Sequence, residues 1–130
     1  MDITIDTTAL LAVLTGAPIR DALIEATAGA RLVAPRSVHW EVGQALSKLV
    51  LSGSASADQA QLCAEAYATI PVRYLEVDMD ASLAMASQLG IEARDAYIIA
   101  CAQKSGAPLL TIDPKLRKSA ESAGIAMVEV

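Results

Sequence analysis

Short apolar runs alternate along the chain with longer stretches of helical period, and that alternation is the first structural signal. Ile3 and Ile5 alternate with polar neighbours across Met1–Asp6, which predicts a strand. Thr8–Leu14 reads as a helix stopped at Thr15-Gly16-Ala17-Pro18, and Pro18–Ala28 as a second helix with proline in its first turn and Gly29 past its end. Arg31–Ala34 is a short apolar strand closed by Pro35. Val38, Val42, Ala45, Leu46, Leu49 and Val50 keep one face of a helix over Arg36–Leu51. After the loop Ser52-Gly53-Ser54, a helix is predicted over Ser56–Thr69, capped by Ser56 or Ala57-Asp58. Val72–Val77 reads as a strand, and Asp78–Leu89 as a helix ended by Gly90. Asp95–Lys104 carries Ile98, Ile99, Ala100 and Cys101 in a row, so this helix belongs in the core. Pro108–Ile112 is a strand, Pro114–Ala123 a helix ended by Gly124, and Ile125–Val130 a fifth strand. Strands alternating with helices predict an α/β fold with a mostly parallel sheet covered on both faces.

Composition narrows the class. Of 130 residues, 54% are hydrophobic and 19% charged, a balance that suits one packed domain over 1–130 and excludes disorder. No linker, repeat or low-complexity segment divides it; Gly-Ala-Pro occurs twice, at Gly16 and Gly106, but only as a turn signal. The apolar stretches fall short of the ~20 residues of a membrane helix. The acidic, alternating start lacks the basic residues of a secretory signal, since the first Lys or Arg is Arg20. Cys63 and Cys101, in alanine-rich helical segments, read as buried reduced thiols, and the expected compartment is the cytoplasm. A net charge of −5 excludes a grip on nucleic acid through bulk positive charge. It leaves room for one made through metal ions and a local basic rim.

The acids carry the candidate chemistry. Asp6 ends the first strand, Asp113 follows the Pro108–Ile112 strand, and Asp95 opens the core helix. In parallel sheets such places face the ligand crevice. Each also reads as a helix N-cap, Asp113 especially, with Pro114 behind it. Glu41 and Asp95 conflict with apolar neighbours: Glu41 borders Val38, Val42 and Ala45, and Asp95 neighbours Ile98, Ile99 and Ala102. A solvent-facing glutamate would prefer the Gln44–Lys48 side, although one curling out to water is the plain alternative. If several of these acids converge, their repulsion calls for a cation, and an oxygen-only donor set selects Mg²⁺ or Mn²⁺. Zinc has no donors to match, because His39 is the only histidine and reads as a surface or helix-edge residue. Walker-type glycine loops and nucleophilic triads are absent.

The segments Ile5-Asp6-Thr7-Thr8-Ala9-Leu10-Leu11, Val33-Ala34-Pro35 and Trp40-Glu41-Val42-Gly43-Gln44-Ala45-Leu46 resemble the opening half of a PIN domain. Arg94-Asp95-Ala96-Tyr97-Ile98-Ile99-Ala100 and Pro108-Leu109-Leu110-Thr111-Ile112-Asp113-Pro114-Lys115-Leu116 resemble its closing half. The order is similar to the VapC-type toxin branch and covers essentially the whole chain. This resemblance implies a PIN-like three-layer sandwich and a Mg²⁺- or Mn²⁺-dependent endoribonuclease. It makes Asp6, Glu41, Asp95 and Asp113 the catalytic set, Asp6, Asp95 and Asp113 the metal ligands, and Thr7 and Thr111 supporting hydroxyls. Arg94 stands where the family commonly has tyrosine or serine.

In such a site a metal-activated water attacks an RNA phosphodiester in line. Arg36, Arg94, Lys115, Arg117 and Lys118 are candidates for the basic rim, although Lys115–Lys118 reads equally as a solvated helix face. With no Phe, one Trp and three Tyr, base stacking is a scarce resource; Trp40, beside Glu41, is the one aromatic candidate for it, although it reads more readily as a packing residue on the helix flank. The resemblance further implies an antitoxin whose C-terminal segment covers the site, and a homodimer; no membrane is involved. The alternative is a non-catalytic PIN-like module that binds RNA or protein, against which retention of all four acids speaks. A receiver-like signalling domain would want paired acids after the first strand, and Asp6-Thr7 lacks the pair.

Overall fold

Four parallel strands form the centre of the computed structural model, which describes residues 1–130. In chain order the elements are β1 (Asp2–Ile5), α1 (Thr7–Leu14), α2 (Arg20–Thr27), β2 (Arg31–Pro35), α3 (Ser37–Leu51) and α4 (Ala57–Ala68). They continue with β3 (Val72–Leu75), α5 (Met79–Leu89), α6 (Ala93–Ser105), β4 (Leu109–Leu110) and α7 (Pro114–Ser122). Strand order is β3-β2-β1-β4, with Thr4 registered against Val33 on one side and Leu109 on the other. The chain therefore builds outward from β1 through β2 to β3, then crosses back to place β4 on the other edge of β1. That reversal opens a crevice beyond the carboxyl ends of β1 and β4.

Helices flank this sheet in two packing groups. The first groups α1 with α2, α3 and α4, while α5 and α6 pack on each other and α6 lies against β1 and β2. The apolar run predicted as a core helix behaves as one: Ala96, Ile98, Ile99, Cys101 and Ala102 of α6 are all buried. Ile99, Leu109 and Leu110 are fully enclosed. Burying each large aliphatic side chain of this kind contributes about 1.5–3 kcal/mol. Both cysteines are free thiols; Cys101 is buried, and that burial pushes its thiol up to about 11, so it is inert packing.

Two expectations need correction. The predicted fifth strand over Ile125–Val130 is a single parallel bridge between Met127 and Leu109. Because β4 is only two residues long, Leu109 alone can pair outward: its N–H donates to the Ala126 carbonyl at 2.9 Å and its C=O accepts the Val128 N–H at 2.9 Å. Leu110 is turned the other way, its C=O accepting the Asp6 N–H. The second correction concerns α6, which begins two residues before Asp95. Glu92 holds the N-cap position without a side-chain capping bond, so Asp95 lies inside the first turn and caps nothing.

Candidate active site

Asp6 follows β1 directly, as the N-cap of α1, and its carboxylate accepts the Ala9 N–H at 3.0 Å. The Thr8 hydroxyl lies 2.8 Å from both carboxylate oxygens, and the Thr111 hydroxyl donates to one of them at 2.5 Å. Thr111 also accepts the Asp113 N–H at 3.0 Å, while Thr8 accepts the Ile112 N–H at 3.2 Å. Two threonines thus stitch the end of β1 to the turn after β4. Asp113 caps α7 by accepting the Lys115 N–H at 3.0 Å, with Pro114 in the first turn where its missing N–H costs nothing.

Glu41 projects from α3 and accepts the Thr7 hydroxyl at 2.7 Å, which supplies the partner that its apolar neighbours in sequence could not. Asp95 comes from the first turn of α6, 3.9 Å from the Arg94 guanidinium, which also reaches Glu92 at 3.6 Å. All four acids line one open cleft of about 250 Å³, together with Thr7, Thr8 and Arg94.

Charge in this cleft is concentrated and poorly solvated. Burial holds the Asp6 carboxyl above the usual range; bonds from Thr111, Ala9 and Thr8 pull it back, and the Asp113 charge pushes it up. Burial also raises Glu41, with the Thr7 bond and Arg94 opposing and Asp95 and Asp6 reinforcing. Asp95 is raised by burial, relieved by Arg94, and raised further by Asp113 and Glu92. A cation placed among these oxygens would relieve every one of those repulsions, and hard oxygen donors suit Mg²⁺ or Mn²⁺. As the side chains stand, however, no three His, Cys, Asp or Glu groups are gathered to hold a metal ion, because each acid is turned onto a local donor. The donor set itself, four carboxylates lining one cleft, fits such an ion.

Several residues fall differently from the sequence reading. Glu41 does share a face with Gln44 and Lys48, and that face lines the open cleft. Thr8, Gln44 and Lys48 were missed; the spacing Glu41, Gln44, Lys48 on one helix face was the available signal. Thr111 is 4% exposed and supports Asp6 from behind. Of the basic candidates only Arg94 lines the cleft. Arg117 is bound to Glu121 and Glu129, Arg36 lies over the Tyr74 ring, and Lys115 is exposed at the start of α7. Trp40 is not a packing residue: it is 70% exposed. His39 is half-buried, with Nδ1 3.1 Å from the Tyr67 hydroxyl, and stands outside the cleft lining.

Among solved structures the chain is similar to PAE2754 from Pyrobaculum aerophilum, at TM-score 0.73 and 24% identity over 98% of this chain and 84% of that one. It is also similar to VapBC2 from Rickettsia felis bound to a DNA fragment from their promoter, at TM-score 0.69 and 16% identity, covering 99% and 98%. A third is VapC20 from Mycobacterium tuberculosis, a sarcin–ricin loop cleaving toxin, at TM-score 0.69 and 18% identity, covering 98% and 99%. These likenesses establish a shared fold. No curated protein matches the chain in sequence comparison. The family model described as the PIN domain matches residues 3–122, and the chain belongs to that family.

Proposed function

We propose that this protein is a Mg²⁺- or Mn²⁺-dependent endoribonuclease of the toxin–antitoxin type, hydrolysing RNA phosphodiester bonds with an activated water. The observation that carries the proposal is the convergence of Asp6, Glu41, Asp95 and Asp113, from four separate places in the chain, on one cleft. Mutual repulsion of carboxylates is tolerated where a function needs them. PIN membership and the fold shared with VapC20, a sarcin–ricin loop cleaving toxin, support phosphodiester chemistry on RNA.

Asp6, Asp95 and Asp113 would hold the divalent ion, whose contribution is to acidify and orient a water and offset charge on the phosphate. Thr111 and Thr8 keep the Asp6 oxygens aimed and ionisable at the end of β1. Thr7 holds Glu41, whose raised carboxyl suits it to take a proton from the attacking water. Arg94, half-exposed beside Asp95, is placed to meet a phosphate and to temper the acid charge. A cognate antitoxin would satisfy the same cleft with a basic side chain, and a homodimer is the expected assembly. No helix is long and apolar enough to cross a membrane.

The test is incubation of the purified protein with structured RNAs, a sarcin–ricin stem-loop among them, with Mg²⁺, Mn²⁺ or chelator. Metal-dependent scission that disappears in Asp6→Asn and Asp95→Asn is expected. Scission that survives both substitutions overturns the acid-site mechanism. RNA retained but never cut, at any metal concentration, points instead to a non-catalytic binding module.

A further inference from the structure

The chain has one Trp, three Tyr and no Phe. Three of those four aromatics gather with the only histidine in one place. The His39 ring meets Trp40 edge-on at 4.6 Å, lies 5.6 Å from Tyr67, and meets Tyr74 edge-on at 5.7 Å. The Tyr67 and Tyr74 hydroxyls contact each other, and Tyr67 also faces His39 Nδ1 at 3.1 Å. Arg36 completes the row with its guanidinium 5.3 Å from the Tyr74 ring centre.

The rings form an edge-to-face cluster, its inner members half-buried and Trp40 open. Trp40 is 70% exposed although it is the largest apolar side chain available to the fold. A lone exposed hydrophobe needs no explanation. An exposed indole set edge-on against a histidine that two tyrosines hold in turn is different, because the contact backs the ring without covering its outer surface. The location adds the second argument. Arg36, Trp40 and Gln44 recur every four residues along one side of α3 and are all exposed. Gln44 belongs to the acid cleft. A strand leaving the cleft over Gln44 therefore meets the indole next, and then a cation. Besides its place over Tyr74, Arg36 has an exposed pair with Glu76 at 3.8 Å, which is weak and easily exchanged for a phosphate.

We propose that Trp40, backed by His39, which Tyr67 and Tyr74 hold in turn, is a stacking platform for one unpaired base of the RNA beside the scissile bond, with Arg36 taking the adjoining phosphate. The proposal rests on the ribonuclease reading of the neighbouring cleft. An aromatic face is indifferent to base identity, so the platform selects single-stranded over paired RNA rather than one sequence. It reverses the expectation that aromatic stacking plays little part here: the aromatics are few, but they are spent in one place.

Trp40 is the sole tryptophan, so its fluorescence reports the contact directly. In the Asp6→Asn protein with Mg²⁺, a single-stranded oligoribonucleotide of about ten nucleotides should quench the emission saturably, and a duplex of equal length should not. In the cleaving protein, Trp40→Ala should raise KM roughly tenfold with kcat within about twofold. Trp40→Phe should restore most of the loss, and equal melting temperatures exclude a folding defect. RNA that binds without quenching the indole overturns the platform. So does an unchanged KM in Trp40→Ala, or a concentration-dependent blue shift without RNA, which means that a second copy covers the ring. Quenching in a protein that never cuts leaves the platform standing and removes the ribonuclease reading; normal cutting by Trp40→Ala does the reverse.

Discussion

The two sides of the acid cleft are built on different principles. On the β1–β4 side, Asp6 is 3% exposed and held by the Ala9 N–H and the hydroxyls of Thr8 and Thr111. On the α3–α6 side, Glu41 has one hydrogen bond, from Thr7, and Asp95 has a loose approach from Arg94 at 3.9 Å. The first side is a fixture: its carboxylate is aimed by donors from the first turn of α1 and from the turn after β4. The second side is adjustable, its acids carried on helix faces and balanced by one half-exposed cation. On the proposed reading, an ion held between the two sides would meet one tightly bonded carboxylate and two more loosely held ones.

Asp6→Asn is the severest test of the fixed side. The amide keeps an oxygen for the Ala9 N–H but loses the charge, so cleavage should fall by at least about 100-fold. Stability should not fall with it. Burial disfavours the ionised Asp6, so a neutral side chain relieves the fold, and that relief offsets the acceptor oxygen lost to Thr111; the melting temperature should stay close to that of the parent. A marked drop in melting temperature would show that the Asp6 charge is structural, and that the two sides do not differ as described.

Thr111→Val probes the same fixture with a smaller effect. It removes the donor to Asp6 and leaves the Asp113 N–H without its acceptor at nearly unchanged volume. The cost should be about 1–3 kcal/mol, which calorimetry would read as a drop of roughly 3–10 °C. The Thr111 bond also lowers the Asp6 carboxyl, so its loss should move the acid limb of the pH–activity profile upward. An unmoved limb would mean that Thr111 supports the fold and not the acid.

How much of this was legible in the sequence differs between the sides in the same way. Asp6 and Asp113 announced themselves by local grammar, a strand end followed by a cap and, at Asp113, by Pro114. Glu41 and Asp95 were legible only as contradictions, acids among apolar helix neighbours. The donors that resolve Glu41 are remote in sequence: Thr7 is 34 residues away. Thr111 entered only through the resemblance, because strand pairing joins it to Asp6 across 105 positions about which periodicity is silent; Thr8, two residues from Asp6, was missed. The fifth strand failed because the length of an edge strand is set by its partner, and β4 is only two residues long. The aromatic cluster was hidden because its rings come from α3, α4 and β3, and composition alone made them look scarce.

Titration compares the sides without mutation. Burial raises the carboxyls of Asp6, Glu41 and Asp95 in the folded protein. A carboxyl raised in this way adds stability while it is protonated, fully so below its unfolded pKa, and that contribution is lost as pH rises through the folded value. The metal-free protein should therefore lose stability from this cluster on going from mild acid to neutrality. A divalent ion should restore it, with a larger rise in melting temperature at neutral than at mildly acidic pH; saturation at a hundredfold excess over Kd corresponds to about 2.7 kcal/mol. Equal shifts at both pH values would show that the ion does not bind among these acids.

The smallest effect expected is the one that best isolates the adjustable side. Arg94 lowers both Glu41 and Asp95 through its charge, yet its own side chain is 61% exposed, so solvent weakens that influence. Arg94→Gln removes the cation without disturbing the hydrogen bonds of the fixed side. With less positive charge beside the acids, a divalent ion should bind somewhat more tightly, by about two- to fivefold in half-saturating concentration. RNA, losing a phosphate partner, should bind more weakly by a similar factor in KM. Opposite movements of metal and RNA affinity are the signature of a residue that balances charge in the cleft. If both weaken together, Arg94 is holding Asp95 in place, and the α3–α6 side is as fixed as the other.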